Sequence, residues 1–217
     1  MPNRAADGIV DQEPTVRRIR QAAANLFAER GFHGTGIRDL ATAAGIRTST
    51  LYHYMGTKED LLVEIMIDAI APLGRAAEQM LAEIDDPLVR LATLVEHHVW
   101  HHVRERQLTT IADTEIRALA GQHRERVLQA RDSYEGIWRT TIYQGREAHL
   151  LAESQPDIAT TALLQMATGV DWFSEGQTLT LTTLCRLYSD WALRLLQAGK
   201  KREELSISDP PAYLTAD

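Results

Sequence analysis

The sequence predicts an all-α protein. Apolar residues recur at helical spacing along almost the whole chain, and no segment alternates apolar and polar residues as a strand would. Glycine is sparse after Gly74, and the seven prolines leave long stretches between them. With 44% hydrophobic and 24% charged residues, the 217-residue chain has enough apolar material for a folded core. We expect about nine helices.

The single cysteine and the hydropathy pattern limit the class of protein. Cys185 alone excludes an internal disulfide framework and a multi-cysteine zinc site. The first residues, MPNRAADGIVDQE, lack the apolar stretch of a signal peptide, and no run approaches the ~18 apolar residues of a membrane span. We expect a cytoplasmic protein with no membrane partner.

Charge is distributed unevenly along the chain. The net charge is −7, yet residues 15–58 hold seven basic and two acidic residues, a local charge of +5. By difference, the remainder carries −12. A small basic unit joined to a larger acidic one favours two roles, one of them on a polyanion such as DNA. The alternative is a chance scatter of charge over helical surfaces.

The first helix is defined by a proline, an apolar stripe and a glycine. Pro14 suits a first helical turn, because a missing N–H costs nothing there. Gly31 suits the left-handed conformation that ends a helix. Between them, residues at i, i+3, i+4, i+7 and i+8 form one apolar face, namely Ile19, Ala22, Ala23, Leu26 and Phe27.

Two short helices and the start of a fourth are expected next. The second helix ends at Gly45, and its stripe consists of Ile37, Leu40, Ala41 and Ala44. Thr48 is expected to cap a third helix that reaches Tyr54 and stops at Gly56. Thr57 is expected to cap the fourth, with Asp60 as an acidic variant of the capping box.

Helix, tight glycine turn and helix fit here into about twenty residues, the dimension of a helix-turn-helix whose second helix enters the major groove of DNA. Leu51 and Met55 can anchor the third helix inward. Its remaining side chains include short donors and acceptors suited to a groove, namely Ser49, Thr50, Tyr52 and His53. A purely structural helical hairpin is the alternative.

The rest of the chain predicts longer helices. Pro72 and Gly74 predict a kink or an end in the fourth helix. Further helices are expected over about 87–106, 108–120, 121–151, 156–170 and 179–198. The last has Leu184, Tyr188, Trp191 and Leu195 on one face, with Gly199 as its stop.

Residues 23–62 contain a series of short motifs in register, namely Leu26-Phe27, Gly31-Phe32, Thr35, Arg38-Asp39-Leu40-Ala41, Ala44-Gly45, Leu51-Tyr52-His53-Tyr54 and Lys58-Glu59 with Leu61. In these motifs the segment resembles the DNA-binding region of the TetR family of bacterial transcriptional repressors. Three positions depart from the family pattern, namely Gly36, Ser49 and Met55. All three are small or volume-tolerant changes.

The resemblance implies a set of DNA contacts. Tyr52 and Lys58 would hold phosphates, and Thr48 and Thr50 would add phosphate or sugar contacts. Arg47 and His53 would reach base edges. The remaining expected contacts are Arg38 to base or backbone, Ser49 through close approach, and Arg17 and Arg18 to the flanking backbone.

The resemblance also implies that the larger part binds a small molecule and dimerises through its last two long helices. The segment TTIADTEIRALAGQHRERV loosely resembles relatives that respond to fatty-acid, sterol and other acyl-CoA thioesters, whose phosphates Arg104, Arg117, Arg124 or Arg126 would meet. The expected effector-binding residues are His97, Trp100, His101, Asp113, Arg117, Tyr134, Trp138, Met166 and Trp172.

A histidine cluster supports a different function class. His97 and His101 share one helix face, and His98 and His102 share another. Such pairs can ligate zinc, copper or nickel, so a metal-dependent helical enzyme is the alternative function. The sequence has no HExxH order, glycine-rich phosphate loop or nucleophile elbow. We therefore expect no catalytic residues, no cofactor and no bound metal. A helical adaptor protein that does not bind DNA is the third function class considered.

The combined interpretation is a ligand-responsive repressor that binds a near-palindromic operator in double-stranded DNA as a homodimer. A small hydrophobic or acyl-CoA effector would release it. The expected organisation is a disordered tail over residues 1–13, a three-helix DNA-binding head over 14–60, a ligand-binding and dimerisation domain over 61–205, and a C-terminal tail over 206–217.

Overall fold

A computed structural model describes residues 12–152, 155–170, 172–174 and 179–196 of the chain. These residues form nine α-helices, one 3₁₀ helix and no strand, which confirms the all-α prediction. The helices are α1 Gln12–Gly34, α2 Ile37–Ala43, α3 Thr48–Met55, α4 Lys58–Leu81, α5 Pro87–Arg104, α6 Arg106–Thr114, α7 Gly121–Glu147, α8 Pro156–Thr168 and α9 Leu181–Leu195, with the 3₁₀ helix Glu115–Ala118 between α6 and α7.

The described residues group into two compact units. Residues up to Ile70, together with Gln107–Ala130, form the first unit; Ala71–Arg106 and the described residues from Arg131 onward form the second. The expected limits at residues 14, 60 and 205 stay predictions. The tail expected over 206–217 lies outside the described residues. Of the tail expected over 1–13, only Gln12 and Glu13 are described, and they begin α1.

The first unit is built on the stripe that the sequence predicts for α1. All five of its apolar residues are buried, and α1 packs against α2, α3 and the 3₁₀ helix. The rings of Phe27 and Phe32 lie 5.5 Å apart between centroids. Leu40, Ala41 and Ala44 of the second stripe are buried as well, whereas Ile37 is only partly covered.

The second unit is centred on α5. Most side chains of this helix are buried, and it packs against α8 and α9. The helix begins at Pro87 as expected, and the Asp86 carboxylate caps it by accepting a hydrogen bond of 2.8 Å from the Leu88 amide. No helix in the described part of the chain is both long and apolar enough to cross a membrane.

Several helix boundaries differ from the prediction. Arg47, not Thr48, occupies the N-cap position of α3, because the Arg47 carbonyl already accepts the helical hydrogen bond from Leu51 at 3.0 Å. Pro72 does not end α4, which continues to Leu81; a proline removes only one helical hydrogen bond, and buried Leu73, Ala77 and Leu81 hold the later turns against the core.

The later boundaries are shifted for local reasons. The helix expected over 108–120 is divided into α6 and the 3₁₀ helix. The helix expected to reach about Leu151 ends at Glu147, shortly before His149, which has a positive φ of 54°. The last helix begins two residues late because the Thr180 hydroxyl accepts the Thr183 amide at 3.2 Å and caps it. The expected stop at Gly199 lies outside the described residues.

Candidate functional site

The turn between α2 and α3 depends on one glycine. Gly45 has a φ of 66°, in the left-handed region that residues with a side chain rarely adopt. The Gly45 amide donates to the Thr42 carbonyl at 3.1 Å, and the Ile46 amide donates to the Ala41 carbonyl at 3.0 Å. These bonds close the end of α2 within two residues and place α3 immediately after it.

The short helix α3 has one buried face and one open face. Leu51 and Met55 are buried as predicted, and Leu51 has no exposed surface. Tyr52 has 51% of its surface exposed, and Ser49 and His53 are also exposed. Thr48 and Thr50 are partly covered. The predicted inward anchors therefore hold α3, and its polar side chains face outward.

Four of the expected DNA-contacting arginines are accessible. Arg17 and Arg18 of α1, Arg38 of α2 and Arg47 are all exposed, and none of the four forms an ion pair with another described residue. Arg20 differs, because its guanidinium pairs with Glu64 and, at 2.8 Å, with Asp68 of α4. Arg20 thus braces α1 against α4, and the four accessible arginines keep their charge toward solvent.

Lys58 contacts the segment between α1 and α2, which the sequence pattern did not predict. Its ammonium nitrogen donates to the Thr35 carbonyl at 2.7 Å and lies 4.1 Å from the centroid of the Phe32 ring. The buried Thr35 hydroxyl lies 2.9 Å from the Gly31 carbonyl and 3.2 Å from that of Leu26. An ammonium has three N–H donors, of which the Thr35 carbonyl takes one. The predicted phosphate contact stays a prediction.

Two acidic side chains cap the helices around α3. Asp60 accepts the Thr57 amide at 2.9 Å, which confirms the predicted capping box at the start of α4. Asp39 accepts the Gly36 amide at 3.0 Å in the same way, a cap that sequence reasoning missed. A Cβ at Gly36 would lie 3.0 Å from that carboxylate, so a larger residue there would require the Asp39 side chain to shift slightly.

Hydrogen bonding also lowers the pKa of the Asp60 carboxyl group. Bonds from the Thr57 hydroxyl and amide, followed by one from His123, hold the pKa of the Asp60 carboxyl far below its ordinary value. Its Oδ1 lies 2.8 Å from Nε2 of His123, which lies in the first turns of α7. His123 was not among the expected site residues. It lies 63 positions from Asp60 in the sequence, and no local pattern predicts a contact over that separation.

In the second unit, His98 joins three helices. Its Nδ1 lies 3.0 Å from the Tyr134 hydroxyl of α7, and its Nε2 lies 3.1 Å from the Thr168 hydroxyl of α8. The Trp138 ring meets the His98 ring edge-on, with 5.6 Å between centroids. Complete burial lowers the pKa of His98 well below its ordinary value, so this imidazole is neutral near pH 7.

The other histidines of α5 lie close by. Burial, followed by the proximity of His101, lowers the pKa of His97 to about 4. The His97 ring is stacked near that of Trp100, and Nδ1 of His102 lies 3.0 Å from the His98 carbonyl. Among the described residues, no group of three or more histidine, cysteine, aspartate or glutamate side chains is placed to hold a metal ion.

A buried carboxyl lies between α5 and α9. The Ser189 hydroxyl donates to Glu96 at 2.9 Å, and burial raises the pKa of Glu96. Sequence reasoning missed this contact, although an acidic residue within the apolar sequence of α5 was a signal for it.

The structure separates the expected effector-binding residues into groups. Tyr134 and Trp138 are buried beside His98. His97, Trp100 and His101 all belong to one helix, α5. Met166 of α8 is partly covered. Trp172 has 57% of its surface exposed, and its indole nitrogen donates to the Gly169 carbonyl. Asp113 and Arg117 are exposed and belong to the first unit.

The fold and the outward face of α3 define a helix-turn-helix DNA-binding protein, and comparison with known proteins gives its family. A family model for bacterial regulatory proteins of the tetR family matches residues 19–65, and one for the tetracyclin repressor-like C-terminal domain matches residues 85–196. The chain belongs to the TetR family of bacterial transcriptional regulators.

Individual relatives agree with this assignment. The HTH-type transcriptional repressor KstR2 of Rhodococcus jostii is 27% identical over 169 residues, which cover 76% of this chain and 83% of that protein. The crystal structure of the regulator PfmR of Thermus thermophilus is 31% identical, with a TM-score of 0.73 over 82% of this chain and 97% of that one. AibR, solved with isovaleryl coenzyme A and operator DNA, shares the fold at 23% identity, with a TM-score of 0.75 over 85% of this chain and 100% of that one.

Proposed function

We propose that the protein is a ligand-responsive transcriptional repressor that binds a near-palindromic operator as a homodimer. The observation that carries this proposal is the outward polar face of α3, held by buried Leu51 and Met55 directly after the turn at Gly45. An exposed polar helix of this size fits the major groove, in which every base pair presents a distinct pattern of donors and acceptors. Membership of the TetR family supports the same function.

The exposed residues divide into positioning and reading roles. Arg47 and His53 would read base edges, and an arginine can bind guanine through two hydrogen bonds. Arg38 would reach a base or the backbone, and Ser49 would permit close approach of the two molecules. The expected contacts to phosphate and sugar, which fix register without reading sequence, are those of Arg17, Arg18, Thr48, Thr50, Tyr52 and Lys58.

The dimer would form through α8 and α9. Large apolar side chains are exposed on both helices, namely Ile158, Trp191 and Leu195. We propose that these side chains belong to the dimer interface, because exposed apolar surface commonly marks an interaction site. Two copies related by a twofold axis would place their recognition helices roughly 34–36 Å apart, one turn of DNA, and would therefore read two half-sites.

The proposed effector is a small hydrophobic molecule or an acyl-CoA thioester. AibR is named with isovaleryl coenzyme A and operator DNA together, and KstR2 of Mycobacterium tuberculosis is named a ketosteroid transcriptional regulator. In this chain, Tyr134, Trp138 and His98 would offer aromatic surface with a few polar groups, as ligand sites do. The effector releases DNA only if it binds better to a state with another head spacing.

We also propose that the protein acts without catalysis, since its named relatives are transcriptional regulators. Metal analysis of the purified full-length chain distinguishes this proposal from the metal-enzyme alternative. Less than about one-tenth of an equivalent of zinc, copper or nickel per chain is the expected result. A full equivalent that is lost in a His97→Gln, His101→Gln variant would favour the enzyme.

The test of the main proposal is selection of bound duplexes from a random DNA library, followed by anisotropy titration of the recovered duplex. The expected result is an inverted repeat bound by two chains, with binding lost on addition of an acyl-CoA but not of coenzyme A alone. Arg30→Ala is a control variant, because Arg30 is an exposed arginine of α1 that is not among the expected DNA contacts. Recovery of no enriched sequence at low salt would contradict the proposal.

A further inference from the structure

The DNA-binding head has contacts with a distant part of the chain. Residues Gln107–Ala130 belong to the same compact unit as α1, α2 and α3. The Gln107 amide donates to the Asn25 side chain of α1 at 2.9 Å. Glu115 lies against Gly31, where an added Cβ would be 3.3 Å from its carboxylate. The segment therefore packs along the head at several points.

The third of these contacts reaches the start of α4. Nε2 of His123 lies 2.8 Å from Oδ1 of Asp60, and both side chains are about one-third exposed. The other oxygen of the same carboxylate, Oδ2, accepts the Thr57 amide at 2.9 Å and the Thr57 hydroxyl at 2.6 Å. Both oxygens of Asp60 are thus held, one by the cap of α4 and the other by His123.

The same carboxylate lies against the end of the recognition helix. The Gly56 amide donates the last helical hydrogen bond of α3, to the Tyr52 carbonyl at 3.2 Å. Gly56 has a φ of 67°, and a Cβ added there would lie only 2.8 Å from Oδ2 of Asp60. Asp60 therefore approaches Gly56 closely, holds Thr57 by hydrogen bonds and is itself bonded to His123, so one carboxylate joins the two residues that follow α3 to α7.

We propose that His123 is a positioning residue for DNA binding, which fixes the C-terminal end of α3 through Asp60. This inference rests on the proposed function, because it concerns the placement of the helix that would read DNA. His123 does not touch DNA in this account. Loss of its ring frees one oxygen of Asp60, loosens the turn at Gly56 and Thr57, and allows α3 to adopt orientations that no longer match the groove.

Three full-length variants test the proposal. His123→Ala removes the donor, His123→Gln keeps a side-chain N–H donor, and Gln122→Ala changes the exposed neighbouring residue as a matched control. Two quantities are measured for each: anisotropy affinity for the duplex recovered by selection, at several salt concentrations, and hydrogen exchange of the amides from residue 52 to residue 61.

For His123→Ala we expect affinity about fivefold weaker, with an unchanged slope of log affinity against log salt, because no phosphate contact is lost. Amide exchange around Gly56 becomes faster in that variant. His123→Gln retains at least half of the wild-type affinity, and Gln122→Ala is unchanged. In an Asp60→Ala background, His123→Ala has no further effect if the two residues act through each other.

Other outcomes contradict the proposal. Equal affinity of His123→Ala and Gln122→Ala overturns it, and so does faster exchange without any loss of affinity. A reduced salt slope overturns it as well, because His123 would then be a phosphate contact. If wild-type protein recovers no DNA sequence, the proposed function fails, whereas a loss seen only in His123→Ala leaves that function intact.

Discussion

The ammonium nitrogen of Lys58 lies 2.7 Å from the backbone carbonyl of Thr35, which joins the start of α4 to the turn that precedes α2. Thr35 is itself buried, and its hydroxyl lies within hydrogen-bonding distance of two carbonyls of α1. The chain therefore holds the ammonium group at a fixed place at the edge of the helix-turn-helix. A cation held in this way loses little side-chain entropy when it meets a phosphate.

Substitution of Lys58 by alanine should weaken binding to all DNA sequences alike. One phosphate contact is lost, so the slope of log affinity against log salt should fall by about one. Titration of the selected duplex and of an unrelated duplex at several salt concentrations measures both effects. A loss of affinity confined to one base position would contradict the phosphate role.

Substitution of Arg47 by alanine should relax sequence discrimination. Arg47 is exposed at the N-cap of α3, and an arginine paired with guanine contributes about 1–3 kcal/mol against the wrong base. Competition between the operator and its single-base variants measures the preference at each position. We expect one position in each half-site to lose its preference. A uniform loss across all positions would instead place Arg47 on the backbone.

Substitution of Gly45 by alanine should lower the free energy of unfolding by about 1–2 kcal/mol. The cost arises from the positive φ of 66° alone, since an added Cβ would meet no atom within 4 Å. Gly136 in α7 is the matched control, because a Cβ there also meets nothing but the backbone is helical. Gly136→Ala should therefore stabilise the protein by up to about 1 kcal/mol. Chemical denaturation measures both, and equal signs for the two variants would contradict this explanation.

Stability should fall as the pH decreases from 6.5 toward about 4. Burial lowers the pKa of His97 from 6.5 to about 4, so in this window the unfolded chain binds a proton that the folded chain does not. Each pH unit then removes about 1.4 kcal/mol for this residue. His98, whose pKa burial also lowers, acts in the same direction.

The control for this pH dependence is a pair of variants. His97→Gln should show a shallower loss of stability between pH 6.5 and about 4 than wild type, while His33→Gln, at an exposed position, should not. The raised pKa of Glu96 acts in the opposite sense in all three proteins, so it cancels in the difference. Parallel unfolding curves for His97→Gln and wild type would show that His97 does not bind a proton on unfolding.

Local patterns predicted the head of the molecule well. The apolar stripe of α1, the glycine at position 45 and the Thr57–Asp60 cap all depend on residues a few positions apart, whose conformational preferences are strong. The polar face of α3 follows from the same periodicity. The cap of α2 by Asp39 was equally local and was overlooked, because Gly36 has no side chain to suggest it.

Long-range contacts could not be predicted in this way. His123 and Asp60 meet although 63 residues separate them, and His98 meets Thr168 across 70 residues. Nothing in a single sequence indicates which helix faces which at those distances. Pro72 shows a different limit of local patterns. It predicted a kink or an end in the fourth helix, and the helix does not end there, because buried residues on the following turns hold it against the core.

Methylation protection of guanine N7 on the selected operator tests most directly whether α3 reads the major groove, since this atom is exposed only there. We predict two clusters of protected guanines, about one helical turn apart on one face of the duplex, and loss of protection at one guanine in each cluster with Arg47→Ala. Full methylation of every guanine beneath bound protein, or protection that Arg47→Ala leaves unchanged, would contradict the account.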